Sequence, residues 1–266
     1  MATFFGVVHL LPLPGSPRGG DLDAVRARAL ADARTLAEGG VDGLIVENFG
    51  DAPFERGAVD AFTLAALTTL ALEVRRTVPT VRLGINVLRN DARAALAIAA
   101  AVGADLIRVN VHTGVMVTDQ GVIEGDARNT LLERARLGAN VAIAADVLVK
   151  HAVPLGDPDI VQVARDTAYR GLADVLIVTG SGTGQAHDPA RVRTVKRAVP
   201  DRPVWVGSGI TPDSARVLAA TPPGEGADGA IVGTWLHRDG DLDAPLDLAR
   251  VREMRDALGG TPIARR

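Results

Sequence analysis

The sequence predicts a single-domain α/β protein whose one domain, residues 1–266, is a (β/α)8 TIM barrel. The chain of 266 residues has the usual length of one such barrel. Short apolar segments alternate with helical segments eight times along it. These apolar segments are hydrophobic on both faces, as parallel strands buried on both sides are. An open doubly wound sheet would show a similar alternation, but the eightfold count favours the closed barrel.

The eight predicted strands are short and rich in Val, Ile, Leu and Ala. They cover residues 4–10, 43–46, 82–87, 106–111, 141–147, 175–178, 204–206 and 229–232. The predicted helices cover residues 21–38, 60–76, 90–101, 126–137, 157–170, 189–198, 212–220 and 245–257. Most of these helices start at or near an acidic residue, Asn90 or a proline. Acidic and Asn side chains accept hydrogen bonds from the free amides of a helix start, and proline has no amide hydrogen that would be left unbonded there.

Composition excludes several classes of function. The chain has no cysteine, which excludes disulfides, a thiolate nucleophile and cysteine-ligated metals. With 29 basic and 32 acidic residues the net charge is −3, so no polybasic surface indicates nucleic acid or anionic lipid. The N-terminus lacks the basic region of a signal peptide, and no apolar run approaches the ~20 residues of a membrane span. We expect a cytoplasmic protein that binds a small molecule, with no nucleic-acid partner and no membrane insertion.

Glycines directly follow the last two predicted strands. Gly207-Ser208-Gly209 comes after one, and Gly233-Thr234 comes after the other. Glycine lets backbone amides approach an anion closely, and a following helix presents its N-terminal donors. Tight turns also need glycine, but the last two units are where TIM barrels commonly bind phosphate. These five residues are the predicted phosphate site, and they resemble the phosphate-binding loops of the tryptophan synthase alpha subunit and phosphoribosylanthranilate isomerase.

Polar residues end most of the predicted strands, where a TIM barrel has its active site. Any one of them could instead cap a helix or bond a loop amide. The predicted catalytic residues are Glu47, His112, Asp146 and Lys150. The predicted substrate-binding residues are His9, Asn48, Asp51, Asn86, Asn110, Asp119, Thr179 and Gly180.

The catalytic residue types suit acid–base chemistry. A carboxylate such as Asp146 and the amine of Lys150 could tune each other's pKa at the barrel mouth, although Lys150 could equally be a solvated loop lysine. His112 or His9 could act as acid or base near neutral pH. A metal could bind through carboxylates and His112, the candidate ligands being Glu47, Asp51, Asp146 and His112. No helical His-Glu spacing supports zinc, and we predict neither a metal nor a cofactor.

Two loops are candidate lids. Residues 179–185 contain three glycines and three hydroxyls. Their Gly-x-Gly-x-Gly spacing is not a dinucleotide fingerprint, because no acidic ribose partner follows a first strand. Residues 113–125 form a connection longer than most.

Four motifs together resemble the BtpA family. They are Gly-Val-Val-His-Leu-Leu-Pro-Leu-Pro-Gly-Ser-Pro at 6–17, Val-Glu-Asn-Phe-Gly-Asp-Ala-Pro-Phe at 46–54, Asp-Gln-Gly at 119–121 and the Thr179-Gly180 loop. The likeness covers nearly the whole chain. It implies a role in photosystem I biogenesis in cyanobacteria, while related members occur in organisms without photosynthesis.

The sequence leaves two functions to weigh. The first is an enzyme acting on a small phosphorylated sugar or ribosyl compound, as an isomerase, a lyase or an enzyme that cleaves glycosyl bonds. The alternative is a non-catalytic biogenesis or stability factor for photosystem I. The barrel alone decides neither, because this fold hosts many chemistries. We also expect a homo-oligomer.

Overall fold

A computed structural model describes residues 2–180 and 188–260. Its strands, in chain order, are β1 Thr3–His9, β2 Gly43–Glu47, β3 Arg82–Asn86, β4 Leu106–Val109, β5 Val115–Thr118, β6 Gly121–Glu124, β7 Ala142–Val147, β8 Ala152–Pro154, β9 Val175–Thr179, β10 Val204–Gly207 and β11 Gly229–Val232. Eight of these described strands close a parallel barrel in the order β1-β2-β3-β4-β7-β9-β10-β11. The predicted TIM barrel is therefore confirmed.

The helices form the outer layer of the barrel. They are α1 Leu22–Gly39, α2 Ala61–Thr77, α3 Ala92–Val102, α4 Ala127–Arg136, α5 Ile160–Arg165, α6 Pro189–Ala198, α7 Pro212–Ala220 and α8 Leu248–Ala257. Acidic residues cap most of their N-termini. Asp60, for example, accepts hydrogen bonds from the backbone amides of Phe62 and Thr63 at 2.7 and 2.9 Å. The caps thus satisfy donors that a helix start leaves free.

Most predicted elements differ from the observed ones by one to three residues at an end, and three of them have a clear physical reason. The helix predicted at 157–170 begins only at Ile160, after the cap Asp159, and continues as a π-helical turn at Asp166–Arg170. The helix predicted from residue 245 begins at Leu248, because Asp247 caps it. The strand predicted at 106–111 ends at Val109, since the amide of Val111 bonds the Asn90 side chain at 2.8 Å instead of a neighbouring strand.

The candidate lid at 113–125 is a β-hairpin. Its strands β5 and β6 pair with each other, and β5 also pairs with β8, which makes a three-stranded antiparallel sheet outside the barrel. Met116 and Ile123 on its inner face are buried against Val111 and Val149. The hairpin is therefore a folded element, with its alternating side chains packed on one side and exposed on the other.

The barrel interior changes from apolar to polar towards the C-terminal ends of the strands. A buried cluster containing Phe5, Val7 and Trp205 fills the lower part, with the Phe5 and Trp205 ring centroids 5.0 Å apart. Side chains alternate along a strand, so His9 continues the inward face of Phe5 and Val7. The strand register places His9 beside Glu47 on the neighbouring strand. The polar strand ends therefore meet above an apolar floor.

Candidate functional site

A cavity of about 170 Å³ opens at the C-terminal end of the barrel. One wall carries charged and imidazole side chains, and the opposite wall is mostly backbone. We call these the charged wall and the cradle wall. The charged wall comprises His9, Glu47, Arg108 and Lys150, and the cradle wall comprises Ser208, Gly209, Ile210, Thr211, Gly233, Thr234 and Trp235.

The cradle wall is built from the two predicted glycine turns. Ser208 and Gly209 both have left-handed backbone conformations, with φ of +68° and +62°. The turn leads into α7, which Thr211 caps through a capping box with Ser214. Within the described chain, the backbone amides of Gly209 and Ile210 donate to no protein acceptor. Two successive free donors and a helix N-terminus therefore face the same cavity.

The second turn of the cradle wall has room for a glycine only, at Gly233. A Cβ atom built on Gly233 would lie only 2.6 Å from Cε1 of His9, closer than any side chain can be. Thr234 and Trp235 then begin a short 3-10 helix. Their amides, like those of the first turn, find no acceptor among residues 2–180 and 188–260. Gly233 is thus needed for His9 to reach the cavity.

Arg108 joins the carboxylates of the charged wall, and sequence reasoning missed it. Its guanidinium donates to both carboxylate oxygens of Asp146, at 3.1 and 3.2 Å, and Nη1 lies 3.8 Å from Oε2 of Glu47. All three side chains are buried. Burial raises the pKa of Asp146. Arg108 lowers it in turn, but the net pKa of Asp146 remains above its ordinary value. For Glu47 burial also raises the pKa, but Arg108, His9, Lys150 and the hydrogen bond from Asn86 together outweigh it, and the net pKa is lowered.

Lys150 projects from the connection between β7 and β8. Its backbone is fixed at both sides, since its amide donates to Oγ1 of Thr179 at 3.1 Å and its carbonyl accepts from Nη2 of Arg89 at 2.9 Å. The Nζ atom forms no hydrogen bond or ion pair with any described residue. Burial first, and then the nearby Arg108, lower the pKa of Lys150. Among the described residues the amine is therefore unpaired, and it lies at the cavity. This position does not fit the interpretation of Lys150 as a solvated loop lysine.

His9 contacts a second imidazole that the sequence analysis did not consider. Its Nδ1 atom lies 3.1 Å from Nε2 of His237, and its ring packs edge-on against Phe49 with centroids 5.0 Å apart. Burial lowers the pKa of His9 to about 3. The imidazole is thus neutral across the physiological pH range.

Several predicted site residues lie beneath or beside the cavity and do not line it. Asn86 donates to Glu47 at 2.7 Å and Asn110 donates to Asp146 at 2.9 Å, so both amides hold the carboxylates of the charged wall. Asp146 itself faces Arg108 rather than the cavity. Thr179 holds the backbone of Lys150, and Gly180 follows it at the strand end.

Asn48 and Asp51 brace loops around the barrel mouth. Asn48 donates to Asp51 at 3.1 Å and accepts from the amide of Leu88 at 2.8 Å, and Asp51 accepts from the amide of Leu13 at 2.8 Å. Burial raises the pKa of Asp51. Both side chains therefore fix the loops after β1 and β3, and their predicted contact with substrate stays a prediction.

His112 and Asp119 lie away from the cavity. His112 is buried with Nε2 2.8 Å from the carbonyl oxygen of Gly171, and Asp119 is exposed in the turn between β5 and β6. In the described ranges no group of three or more His, Asp or Glu side chains could hold a metal. The four candidate metal ligands, Glu47, Asp51, Asp146 and His112, therefore do not come together at one point. Most of the candidate lid at 179–185, from residue 181 on, lies outside the described residues.

Comparison with known proteins places this geometry in a family. The model of the BtpA family matches residues 1–259. The chain belongs to the BtpA family. Among its relatives, a Synechocystis protein named photosystem I biogenesis protein BtpA is 48% identical over 254 residues, covering 95% of this chain and 86% of that one. An uncharacterized Pyrococcus furiosus protein is 46% identical, covering 96% of this chain and 95% of that one.

The fold is shared with solved TIM barrels. The crystal structure of phosphoribosyl anthranilate isomerase from Thermus thermophilus is similar to this protein, with a TM-score of 0.57 and 12% sequence identity. The match covers 97% of this chain and 98% of that chain. At that identity the likeness concerns the fold alone. In the described part of the chain no helix combines the length and apolar character needed to cross a membrane.

Proposed function

We propose that this protein is an enzyme that acts on a small phosphorylated sugar or ribosyl compound, by isomerisation, lysis or cleavage of a glycosyl bond. One observation carries the proposal: among the described residues, a single cavity has backbone amides without an acceptor on one wall and a lysine amine without a partner beside a buried carboxylate on the other. A protein that served only as a scaffold would not need these groups to face one another.

The cradle wall suits the phosphate group. Gly209, Ile210, Thr234 and Trp235 supply four amides without other acceptors among the described residues, and the N-terminus of α7 adds its positive dipole end. Cationic side chains on the opposite wall, Arg108 and Lys150, favour an anionic ligand further.

The charged wall suits proton transfer at the other end of the ligand. Glu47 is held ionised by Arg108 and Lys150, which lower its pKa. The lowered pKa of Lys150 brings its amine closer to the range in which it can both take and give a proton. Asp146 and Asn86 act through their hydrogen bonds, the first on Arg108 and the second on Glu47. Glu47 and Lys150 are therefore the proposed acid–base pair.

The size of the cavity limits the substrate. Its 170 Å³ is below the range of pockets that hold drug-sized ligands, ~300–1,000 Å³. A phosphate group with a body of a few carbon atoms fits this volume better than a dinucleotide does. A phosphorylated monosaccharide or smaller compound is accordingly the proposed class.

Ligand-induced stabilisation tests the proposal. A panel of sugar phosphates, with ribose 5-phosphate and inorganic phosphate included, should raise the melting temperature, because a ligand that binds only the native state stabilises it. Gly209→Asp should abolish the shift by placing a carboxylate in the cradle wall. Gly224→Asp is the matched control, since Gly224 also has positive φ, +83°, and no neighbour within 4 Å of an added Cβ. A panel without any shift would refute the proposal.

The name of the Synechocystis relative supports a second candidate, a biogenesis factor for photosystem I. A Synechocystis strain lacking that relative distinguishes the two. If this protein restores photosystem I levels as well with Gly209→Asp as without it, the cavity is dispensable and the scaffold function stands. If Gly209→Asp abolishes the rescue while Gly224→Asp does not, the role in biogenesis depends on the chemistry of the cavity.

A further inference from the structure

The two histidines at the cavity form a chain of hydrogen bonds that ends on a backbone carbonyl. Nδ1 of His9 lies 3.1 Å from Nε2 of His237, and Nδ1 of His237 lies 2.7 Å from the carbonyl oxygen of Ala244. His237 is fully buried. It directly follows the 3-10 helix of the cradle wall. The chain therefore connects the cavity to the fixed interior of the protein.

The carbonyl at the end of the chain fixes where the protons lie. The carbonyl oxygen of Ala244 only accepts, and at 2.7 Å it is closer to Nδ1 of His237 than the donor Nη2 of Arg28 is, at 3.3 Å. The closer contact requires hydrogen on Nδ1 of His237 and leaves a lone pair on its Nε2 atom. His9 then has to donate from Nδ1, which leaves its own Nε2 atom without hydrogen. Burial is the largest influence on His237 and lowers its pKa, which opposes a second proton on the ring. Arg28, whose Nη2 lies 3.3 Å from Nδ1 of His237, acts in the same direction, whereas Asp32 and Asp241 favour the charged form without reversing the net shift.

The unprotonated nitrogen of His9 lies at the cradle wall. A Cβ atom on Gly233 would be 3.0 Å from Nε2, so this edge of the ring faces the Gly233 turn, and both residues line the cavity. The ionisable groups that act on His9 are His237, Lys150 and Arg108, which favour its neutral form, and Glu47, which favours its charged form. Burial is the largest influence and keeps the ring neutral.

We propose that His237 positions His9 as a hydrogen-bond acceptor in the cradle, so that the site binds a phosphate only together with one proton. This rests on the proposed function, because it requires that the anion binds at the cradle wall. A protonated phosphate oxygen donates its hydrogen bond to Nε2 of His9, and the proton stays on the phosphate because burial keeps His9 neutral. An oxyanion without a proton meets a lone pair instead and is rejected. The site thereby distinguishes phosphate from sulfate, which has the same shape but carries no proton near neutral pH.

Isothermal titration of the wild-type protein with three probes tests the proposal. Inorganic phosphate keeps at least one proton between pH 6 and pH 8, whereas ribose 5-phosphate loses its last one near pH ~6. The affinity for ribose 5-phosphate should fall about tenfold per pH unit over this range, relative to the affinity for inorganic phosphate. Sulfate should bind at least about tenfold more weakly than phosphate. The ratio of the affinities for the two phosphates removes the effect of the titration of Lys150 and other protein groups, because these groups act on both ligands.

Two variants assign the effect to the histidines. His237→Phe keeps a buried ring and removes the acceptor for Nδ1, so His9 can turn to the other tautomer, and the phosphate-to-sulfate ratio should fall to within about threefold of one. His9→Gln supplies an amide that can donate, and it should lose the same discrimination. Nitrogen NMR of labelled histidines in the wild type needs no variant, and it should show hydrogen on Nδ1 of both His9 and His237.

The outcomes separate this proposal from the one on which it rests. If none of the three anions binds, both are wrong. If phosphate and sulfate bind equally, or if both phosphates share one pH dependence, the cradle stands and the proton requirement is overturned. Hydrogen on Nε2 of His9, or unchanged discrimination in folded His237→Phe, overturns the positioning role of His237.

Discussion

The two walls of the cavity are built by different means. The cradle wall consists of backbone from two consecutive βα turns, and its shape is set locally by the left-handed backbone of Ser208 and Gly209 and by the missing side chain of Gly233. The charged wall consists of side chains from strands far apart in the chain, and it exists only because the barrel register brings β1, β2, β4 and β7 together. A local wall tolerates changes elsewhere in the protein, whereas a wall assembled from distant strands depends on every partner.

Removing Arg108 should break the charged wall and give the largest loss of stability. Arg108→Met leaves Glu47 and Asp146 buried without their cation, which typically costs about 3–5 kcal/mol. Urea unfolding measures the change. Arg216→Met is the control, because Arg216 pairs with Asp213 on the surface, where a pair contributes under ~1 kcal/mol. Equal losses in the two variants would show that the buried network is not needed for stability.

Acid should act on the same wall through His9. Its pKa is lowered to about 3 from an ordinary 6.5, so the stability that it contributes is complete above pH 6.5 and is lost as the pH falls towards 3. The loss should approach about 1.4 kcal/mol per pH unit. His9→Gln should flatten the difference between unfolding curves at pH 7 and pH 4. An unchanged pH dependence would mean that His9 takes up a proton without penalty.

A single methyl group added at Gly233, where the cradle wall meets His9, should destabilise the protein. Gly233→Ala places a Cβ atom 2.6 Å from Cε1 of His9, and overpacking of this kind costs about 1–3 kcal/mol. Phosphate-induced stabilisation should be lost as well, because His9 has to move. Gly57→Ala adds the same methyl where no atom lies within 4 Å and should change stability by less than about 0.5 kcal/mol. Retained phosphate binding in Gly233→Ala would show that the two walls are independent.

Lys150 should matter for chemistry and hardly at all for folding. Lys150→Met removes an amine that has no partner in the described part of the chain and whose pKa burial has lowered, so the free energy of unfolding should change by no more than about 1 kcal/mol in either direction. Turnover, once a substrate is known, should fall by about 10²-fold or more, the typical contribution of an acid–base group. A strong destabilisation would instead assign Lys150 a structural role.

The contrast between the walls also explains what the sequence could predict. Strand number, helix caps and the glycine turns are local patterns, and all of them could be read before the structure was known. Arg108 looks like an isolated polar residue within an apolar strand. The alternation Leu106, Arg108, Asn110 points it inward, and this is the one signal that could have found it.

Other parts of the site carried weaker signals. The partner of His9 is His237, 228 residues away in sequence, and no local pattern connects the two. The hairpin at Val115–Glu124 had a usable signal, since two short apolar runs, at residues 115–117 and 122–123, flank a turn at Asp119-Gln120. His112 and Asp51 were predicted as site residues because they follow strands. In the structure His112 contacts the carbonyl oxygen of Gly171 and Asp51 accepts from the amide of Leu13, and a role of either in the site stays a prediction.

The small antiparallel sheet has a consequence for how such a barrel can change over evolution or by design. TIM barrels diversify by exchanging one βα loop at a time, because each loop usually folds independently of its neighbours. Here β5 and β6 belong to the loop after β4, while β8 belongs to the loop after β7. Because β8 begins two residues after Lys150, grafting a new loop after β4 would also release the segment that carries the lysine. These two loops are therefore a single module that must be inherited or replaced together.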